Sequence, residues 1–189
     1  MTTLAPTLST HYFPRIASWL RDLFLIVAGS LFVAALAQIR IPLPFTPIPI
    51  TGQTFGVLLV GVALGSKRGA AALALYLAEG AIGLPFFAGG AYGLEIVIGA
   101  TGGYLFGFIA AAFFIGLLAE RGLERSIRTS ILPFLIGTAI IYLCGASWLA
   151  LSLGLEKAIL FGVLPFLVGD AIKIALAAVV LPSAWKSLR

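Results

Sequence analysis

Long apolar stretches, broken at short intervals by glycine, proline or a few charges, dominate the chain from residue 23 onward. A helix needs roughly 20 mostly apolar residues to cross about 30 Å of hydrocarbon. Six stretches are candidates: about 23–39, 50–65, 69–87, 99–118, 131–152 and 159–181. The second is short and opens on Ile50-Thr51-Gly52-Gln53, and the third carries Glu79 and ends in a Gly-Leu-Pro-Phe turn, so their ends are the least sharply marked. Residues 1–14 are polar and predict a disordered tail. No repeat of fixed period is visible and no linker is long enough to separate two domains. The pattern therefore predicts an all-α polytopic membrane protein, with a polar N-terminal tail over 1–14 and one compact bundle of six transmembrane helices over 15–189.

Composition agrees with the pattern. Of 189 residues, 61% are hydrophobic and 10% charged, and the mean hydropathy is +1.13, whereas an average soluble domain is about 25% charged. A globule of this size cannot hide that much apolar surface within itself, so the excess faces lipid. Intrinsic disorder, a collagen-like repeat and a disulfide-stapled domain are excluded, because hydrophobicity is high, the 22 glycines have no period and there is one cysteine. That residue, Cys144, lies in an apolar run and reads as a small core hydrophobe.

The few charges give an orientation. With a cytoplasmic N-terminus, the inner segments hold Arg15, Arg21, Lys67, Arg68, Arg121, Arg125, Arg128, Lys186 and Arg189. Arg40 and Lys157 fall in outer loops and Lys173 within the last span. Both termini are therefore expected in the cytoplasm of a multi-pass cell-membrane protein. The same distribution explains the net charge of +5 without nucleic acid. A competing reading makes the first apolar run a signal peptide cleaved after Ala35-Leu36-Ala37. That run is longer than a usual signal core and fits the charge alternation as a retained helix.

Missing motifs narrow the chemistry. There is no G-x-x-x-x-G-K-[ST] phosphate loop, no G-x-S-x-G elbow and no H-E-x-x-H, and no nucleophile and base stand at usable spacing, so an enzyme is not expected. Cysteine and histidine never recur at metal spacing, and the only histidine, His11, lies in the polar tail, so neither a metal nor a cofactor is expected.

What remains is a small set of polar residues at costly depth. Asp170 and Lys173, at i and i+3 in the sixth stretch, share one helix face and can compensate each other's charge. They read either as a pair that locks the helix into the bundle or as a ligand site, whose carboxylate accepts from N–H groups while the ammonium meets a carbonyl or carboxylate. Glu79 either snorkels towards the outer surface or faces the interior. The segment Leu84-Pro85-Phe86-Phe87-Ala88-Gly89-Gly90-Ala91-Tyr92-Gly93-Leu94, followed by Gly99-Ala100-Thr101-Gly102-Gly103-Tyr104, reads as a flexible turn with close helix packing or as an aromatic lid over an apolar ligand. The first outer loop, Ile41 to Ile50, is stiffened by four prolines around Phe45, and Gln53 and Thr54 follow at the top of the second stretch. Both loops fall on the same side and suggest a pocket opening outward. Ser30 and Ala34, four apart on the first helix, allow close approach within the fold or against a partner.

Four segments, Pro47-Ile48-Pro49-Ile50-Thr51-Gly52-Gln53-Thr54-Phe55-Gly56, Ile82-Gly83-Leu84-Pro85-Phe86-Phe87-Ala88-Gly89-Gly90, Thr101-Gly102-Gly103-Tyr104 and Asp170-Ala171-Ile172-Lys173, together resemble the BioY family, in family order, from about residue 23 to 181. These are the biotin-specific substrate-binding (S) components of energy-coupling factor transporters. The resemblance implies a six-helix S-component fold that captures biotin near the outer face for uptake. It implies that Asp170 and Lys173 engage biotin's polar groups, with Gln53, Thr54, Phe45, Gly89, Gly90, Tyr92, Gly102, Gly103 and Tyr104 completing the substrate site. It also implies a transmembrane coupling protein and two cytoplasmic ATPase subunits as partners, the former meeting Ser30 and Ala34. Two positions depart from the pattern: Ala91 stands where some members carry Asn, and Leu105 where a basic residue can occur. Either change moves the contact to the ligand's carboxylate onto another group, such as Lys173. The reading from a different class is a membrane scaffold or assembly protein whose Asp170 and Lys173 only lock helices.

Overall fold

The structure is a computed structural model that describes residues 3–12 and 14–186, without the side chain of Lys186. Lys186's side chain and Arg189, both counted in the charge pattern, thus lie outside the described residues. Helix α1 (Leu4–Tyr12) precedes α2 (Ser18–Ala37), and a two-residue ribbon of β1 (Arg40–Ile41) and β2 (Ile50–Thr51) follows. Next come α3 (Gln53–Leu64), α4 (Ser66–Ala81), the short α5 (Leu94–Ile98), α6 (Gly102–Ala119) and α7 (Ile127–Leu153). Helices α8 (Leu155–Gly162) and α9 (Leu167–Lys186) end the described chain.

Four helical stretches, Ser18–Ala37, Gly102–Ala119, Ile127–Leu153 and Leu155–Trp185, are long and apolar enough to cross a bilayer. Their large apolar side chains face outward as well as inward: Phe24, Leu151 and Val168 are each more than two-thirds exposed. A water-soluble bundle buries such residues, and only a lipid surround makes this arrangement favourable. The second and third predicted spans are shorter than expected. Helix α3 has 12 residues and α4 has 16, about 18 and 24 Å at 1.5 Å per residue. They are parted by Gly65 alone, at φ +85°. Ser66 donates its N–H and hydroxyl to Glu120 Oε1 at 2.7 and 2.8 Å, so a carboxylate from the far end of α6 caps α4.

The expected disordered tail is instead helical. Leu4 and Thr3 are buried, and Thr3 lies against Gly65, because α1 lays its first turn over the ends of α2 and α3. At the same end, Arg68 pairs with Asp22 at 2.7 Å and the Arg125 guanidinium stacks on Trp185. Both ends of the described chain thus share one end of the bundle with the α3–α4 turn and the α6–α7 connection. The ribbon, the glycine-rich loop and the α7–α8 turn share the other.

The last stretch is not one helix. Pro165 lies in a 3-10 turn over Leu164–Phe166, between α8 and α9. Proline lacks an N–H and its ring collides with the preceding turn, so a straight helix cannot pass. The break starts α9 afresh and puts Asp170 in its first turn, where the helix dipole favours a negative charge. The ribbon is a small departure from an all-α chain. Its loop holds Pro42, Pro44, Pro47 and Pro49, which cannot donate to a ladder, so pairing stops after Arg40↔Thr51 and Ile41↔Ile50.

Candidate functional site

A cavity of about 330 Å³ lies beneath the ribbon and the glycine-rich loop, within the range of small-molecule sites. Pro47, Ile48 and Pro49 of the first loop form part of its wall, with Phe87 and Ala91 of the glycine-rich loop and Tyr104, Leu105 and Phe108 of α6. Ile141, Tyr142 and Phe166 add further apolar surface. Four of its polar side chains are hydrogen-bonded to one another at one place.

That place is the junction of α3, α7 and α9. Asp170 is 4% exposed, and its Oδ1 accepts from the Lys173 ammonium at 2.8 Å and from the Thr54 hydroxyl at 3.1 Å. Its Oδ2 accepts from the Tyr142 hydroxyl at 2.5 Å. Lys173 also donates to Thr54 Oγ1 at 2.7 Å. All four residues line the cavity. A buried charge is tolerable only when paired and hydrogen-bonded, and this cluster meets both conditions. It is also unsaturated. A carboxylate offers about four lone-pair sites and an ammonium three donors; among the described residues, three of these acceptor sites and two of these donors are used. One acceptor site on Asp170 and one N–H on Lys173 remain for a ligand.

The two loops above the cavity are tied down around this cluster. The Thr46 hydroxyl donates to the Phe161 carbonyl at 2.8 Å, and the Gln38 amide donates to the Pro85 carbonyl at 3.4 Å. Gln53 lines the cavity, but its side chain is also a strut. It accepts from Thr51 at 2.9 Å and donates to the Tyr76 hydroxyl at 2.7 Å, which in turn donates to the Phe86 carbonyl at 3.1 Å. Phe87 packs edge-on to Tyr76 and directly on Gly80, where a Cβ would fall 2.3 Å from its ring. The loop therefore inserts a fixed aromatic wedge where the sequence suggested a mobile lid.

Of the expected site residues, Asp170, Lys173, Gln53, Thr54 and Tyr104 line the cavity. Tyr104 donates its hydroxyl to the Gly162 carbonyl at 2.7 Å, taking up an acceptor freed by the break before α9. Phe45, Gly89, Gly90, Tyr92, Gly102 and Gly103 do not line it. Phe45 and Tyr92 are more than half exposed. Gly102 and Gly103 are buried against Val97 and Trp148, because α6 must approach its neighbours more closely than a side chain permits. Ser30 and Ala34 are buried at 0% and 5%; their face of α2 packs inside the chain, and the Ser30 hydroxyl donates to the Glu79 carboxylate. Glu79 thus reaches the interior and does not snorkel outward.

Tyr142 is the functional candidate that sequence reasoning missed, since a single tyrosine in a 27-residue apolar helix carries no spacing signal. Arg40, read from the sequence only as an outer-loop charge, also lines the cavity, as do Glu95 and Thr101.

Residues 5–189 match the model of the BioY family. The chain is 43% identical over 121 residues to the biotin transporter BioY of Thermotoga maritima, covering 64% of this chain and 70% of the relative. It is 38% identical over 138 residues to the biotin transporter BioY of Rhizobium etli, covering 69% and 74%. It is also similar, with a TM-score of 0.81 and 28% identity over 90% of this chain and 95% of the other, to the crystal structure of an S-component for biotin from an ECF-type ABC transporter. The family match takes in every residue of the cavity wall and nearly the whole chain, and the chain belongs to the BioY family.

Proposed function

We propose that the chain is the membrane component that captures biotin from outside the cell and presents it for uptake through an energy-coupling factor transporter. It is a transport component and not an enzyme. The observation that carries this reading is the unsaturated cluster of Asp170, Lys173, Thr54 and Tyr142 at the base of a cavity with a largely apolar wall. Biotin's cyclic urea offers N–H donors and a carbonyl acceptor on adjacent atoms. The spare acceptor on Asp170 and the spare donor on Lys173 match that pairing. Its thioether ring and aliphatic chain suit the wall of Phe87, Tyr104, Phe108 and Phe166. A pair that served only to lock helices would have no reason to face a cavity.

In the membrane, α2, the short α3 and α4, α6, α7 and the broken α8–α9 act together as six spanning segments. The distribution of Lys and Arg supports cytoplasmic termini and a cavity facing outward. Energy comes from partners: a transmembrane coupling protein and two cytoplasmic ATPase subunits complete the transporter, consistent with a chain that carries no phosphate loop of its own. Gln53 and Tyr104 shape the site, whereas Phe45, Gly89, Gly90, Tyr92, Gly102 and Gly103 act through the loops and helices that hold it.

Calorimetric titration of the detergent-purified protein with biotin tests the proposal. Saturable binding is expected, weakened at least tenfold in Asp170→Asn and Lys173→Ala, because each leaves a buried partner unpaired. No saturable binding by the parent protein overturns the substrate; unchanged binding in both variants overturns the site.

A further inference from the structure

The cavity holds two cations, and they differ in how far their charge is already spent. Lys173 is hydrogen-bonded to Asp170 and Thr54 at the base, and its charge is balanced by the carboxylate beside it. Arg40 lines the same cavity but stands exposed at its mouth, with no ion pair within 4 Å among the described residues. Its backbone is fixed by the ribbon, in register with Thr51. Its side chain lies across the glycine-rich loop: a Cβ on Gly89 would fall 2.8 Å from Arg40 Cδ and 3.0 Å from Nη1. Gly89 thus serves the site indirectly, through a bare backbone over which the guanidinium can lie. Glu95, the other charged group at the wall, forms no ion pair with it.

We infer that Arg40 is the residue that receives the carboxylate of the bound ligand, so that the site selects the free acid over its neutral derivatives. The inference rests on the biotin reading above and orients the ligand within it. The urea goes to the neutralised base and the carboxylate to the unspent cation at the mouth. A guanidinium presents five donors in a planar fork that matches a carboxylate with two parallel bonds. A ligand placed the other way round would set its anion beside a pair whose charges already cancel, where Asp170 repels it while Lys173 attracts it. It would also leave the urea at a mouth where water competes for its hydrogen bonds.

The test is calorimetric titration of the parent, Arg40→Gln and Arg40→Lys proteins with biotin and with its neutral carboxamide. The parent should bind biotin at least about tenfold more tightly than the amide, since hydrogen bonds between two charged groups are roughly twice as strong as neutral ones. Arg40→Gln should lose that preference by weakening biotin far more than the amide, with an unchanged thermal unfolding midpoint of the unliganded protein as the control for folding. Arg40→Lys should retain part of it. Retention of the parent's preference in Arg40→Gln would place the carboxylate elsewhere, Lys173 first, and overturn the assignment. Equal affinity of the parent for both compounds overturns it as well while leaving biotin as substrate. Binding of neither compound by the parent removes both the assignment and the reading beneath it.

Discussion

Two stretches of this chain look nearly alike as text: Gly89-Gly90-Ala91-Tyr92 and Gly102-Gly103-Tyr104. In the folded chain they share almost nothing. Gly89 and Gly90 sit in a loop at φ +69° and +80°, with open space around Gly90, and Tyr92 is 54% exposed. Gly102 and Gly103 open α6 with helical backbone and are buried, and Tyr104 closes the cavity with its hydroxyl on a backbone carbonyl. The first pair is there for conformation, with Gly89 also leaving room for the Arg40 side chain, and the second for volume. A glycine that supplies conformation costs strain when replaced, while one that supplies volume forces two elements apart.

The sharpest way to break this comparison is Gly103→Ala. A Cβ there falls 2.2 Å from Trp148 Cβ and 2.6 Å from the Cys144 carbonyl oxygen, so α6 and α7 must separate. Helix propensity favours alanine by about 0.5–1 kcal/mol, but overpacking a close contact costs typically 1–3 kcal/mol. Because both atoms belong to a rigid helix, the upper part of that range applies. The expected result is a clear fall in the thermal unfolding midpoint of the detergent-purified protein. An unchanged or raised midpoint would show that propensity wins and that the pair is not there for space.

Next in size is Tyr104→Phe, which keeps the ring and leaves the buried Gly162 carbonyl without its 2.7 Å donor. Stability should fall by about 1–2 kcal/mol, and biotin affinity should fall with it, because a ring of the cavity wall loses the hydrogen bond that holds it in place. Gly90→Ala should cost about 1 kcal/mol, the strain of a side chain at positive φ where no atom collides. Its unfolding midpoint should lie above that of Gly103→Ala; the reverse order would mean the loop is the tighter of the two.

The residues legible from sequence were those whose signal is local. Asp170 and Lys173 announce themselves as charges three apart in an apolar run, and Thr54 as a polar position beside a proline-stiffened loop. Tyr142 joins them only through the packing of α7 against α9, which no local window contains. Hydropathy likewise located the last apolar stretch but ran straight through Pro165, because averaging over a window hides one residue that forbids continuation. The break between α3 and α4 was visible in Gly65-Ser66-Lys67-Arg68, but their outer ends were not, because the apolar residues of Ile50-Thr51-Gly52 and Ile82-Gly83-Leu84-Pro85-Phe86 prolong both runs past where the helices stop. Ser30 and Ala34 show the opposite error: small residues four apart mark a close approach without saying to what, and α2 spends that face inside its own chain.

The smallest effect should come from Tyr92→Ala, and for that reason it delimits the site. A half-exposed ring outside the cavity wall contributes little to stability, so the midpoint should move by no more than the equivalent of about 0.5 kcal/mol. Biotin affinity should stay within about twofold of the parent. An aromatic residue at that end of a membrane bundle has a sufficient role at the lipid–water boundary, where its ring and hydroxyl meet different media. If Tyr92→Ala instead weakens biotin binding as much as Tyr104→Phe does, with an unchanged midpoint, the loop must fold inward over the ligand. The contrast between the two Gly-Gly stretches would then describe only the unliganded chain.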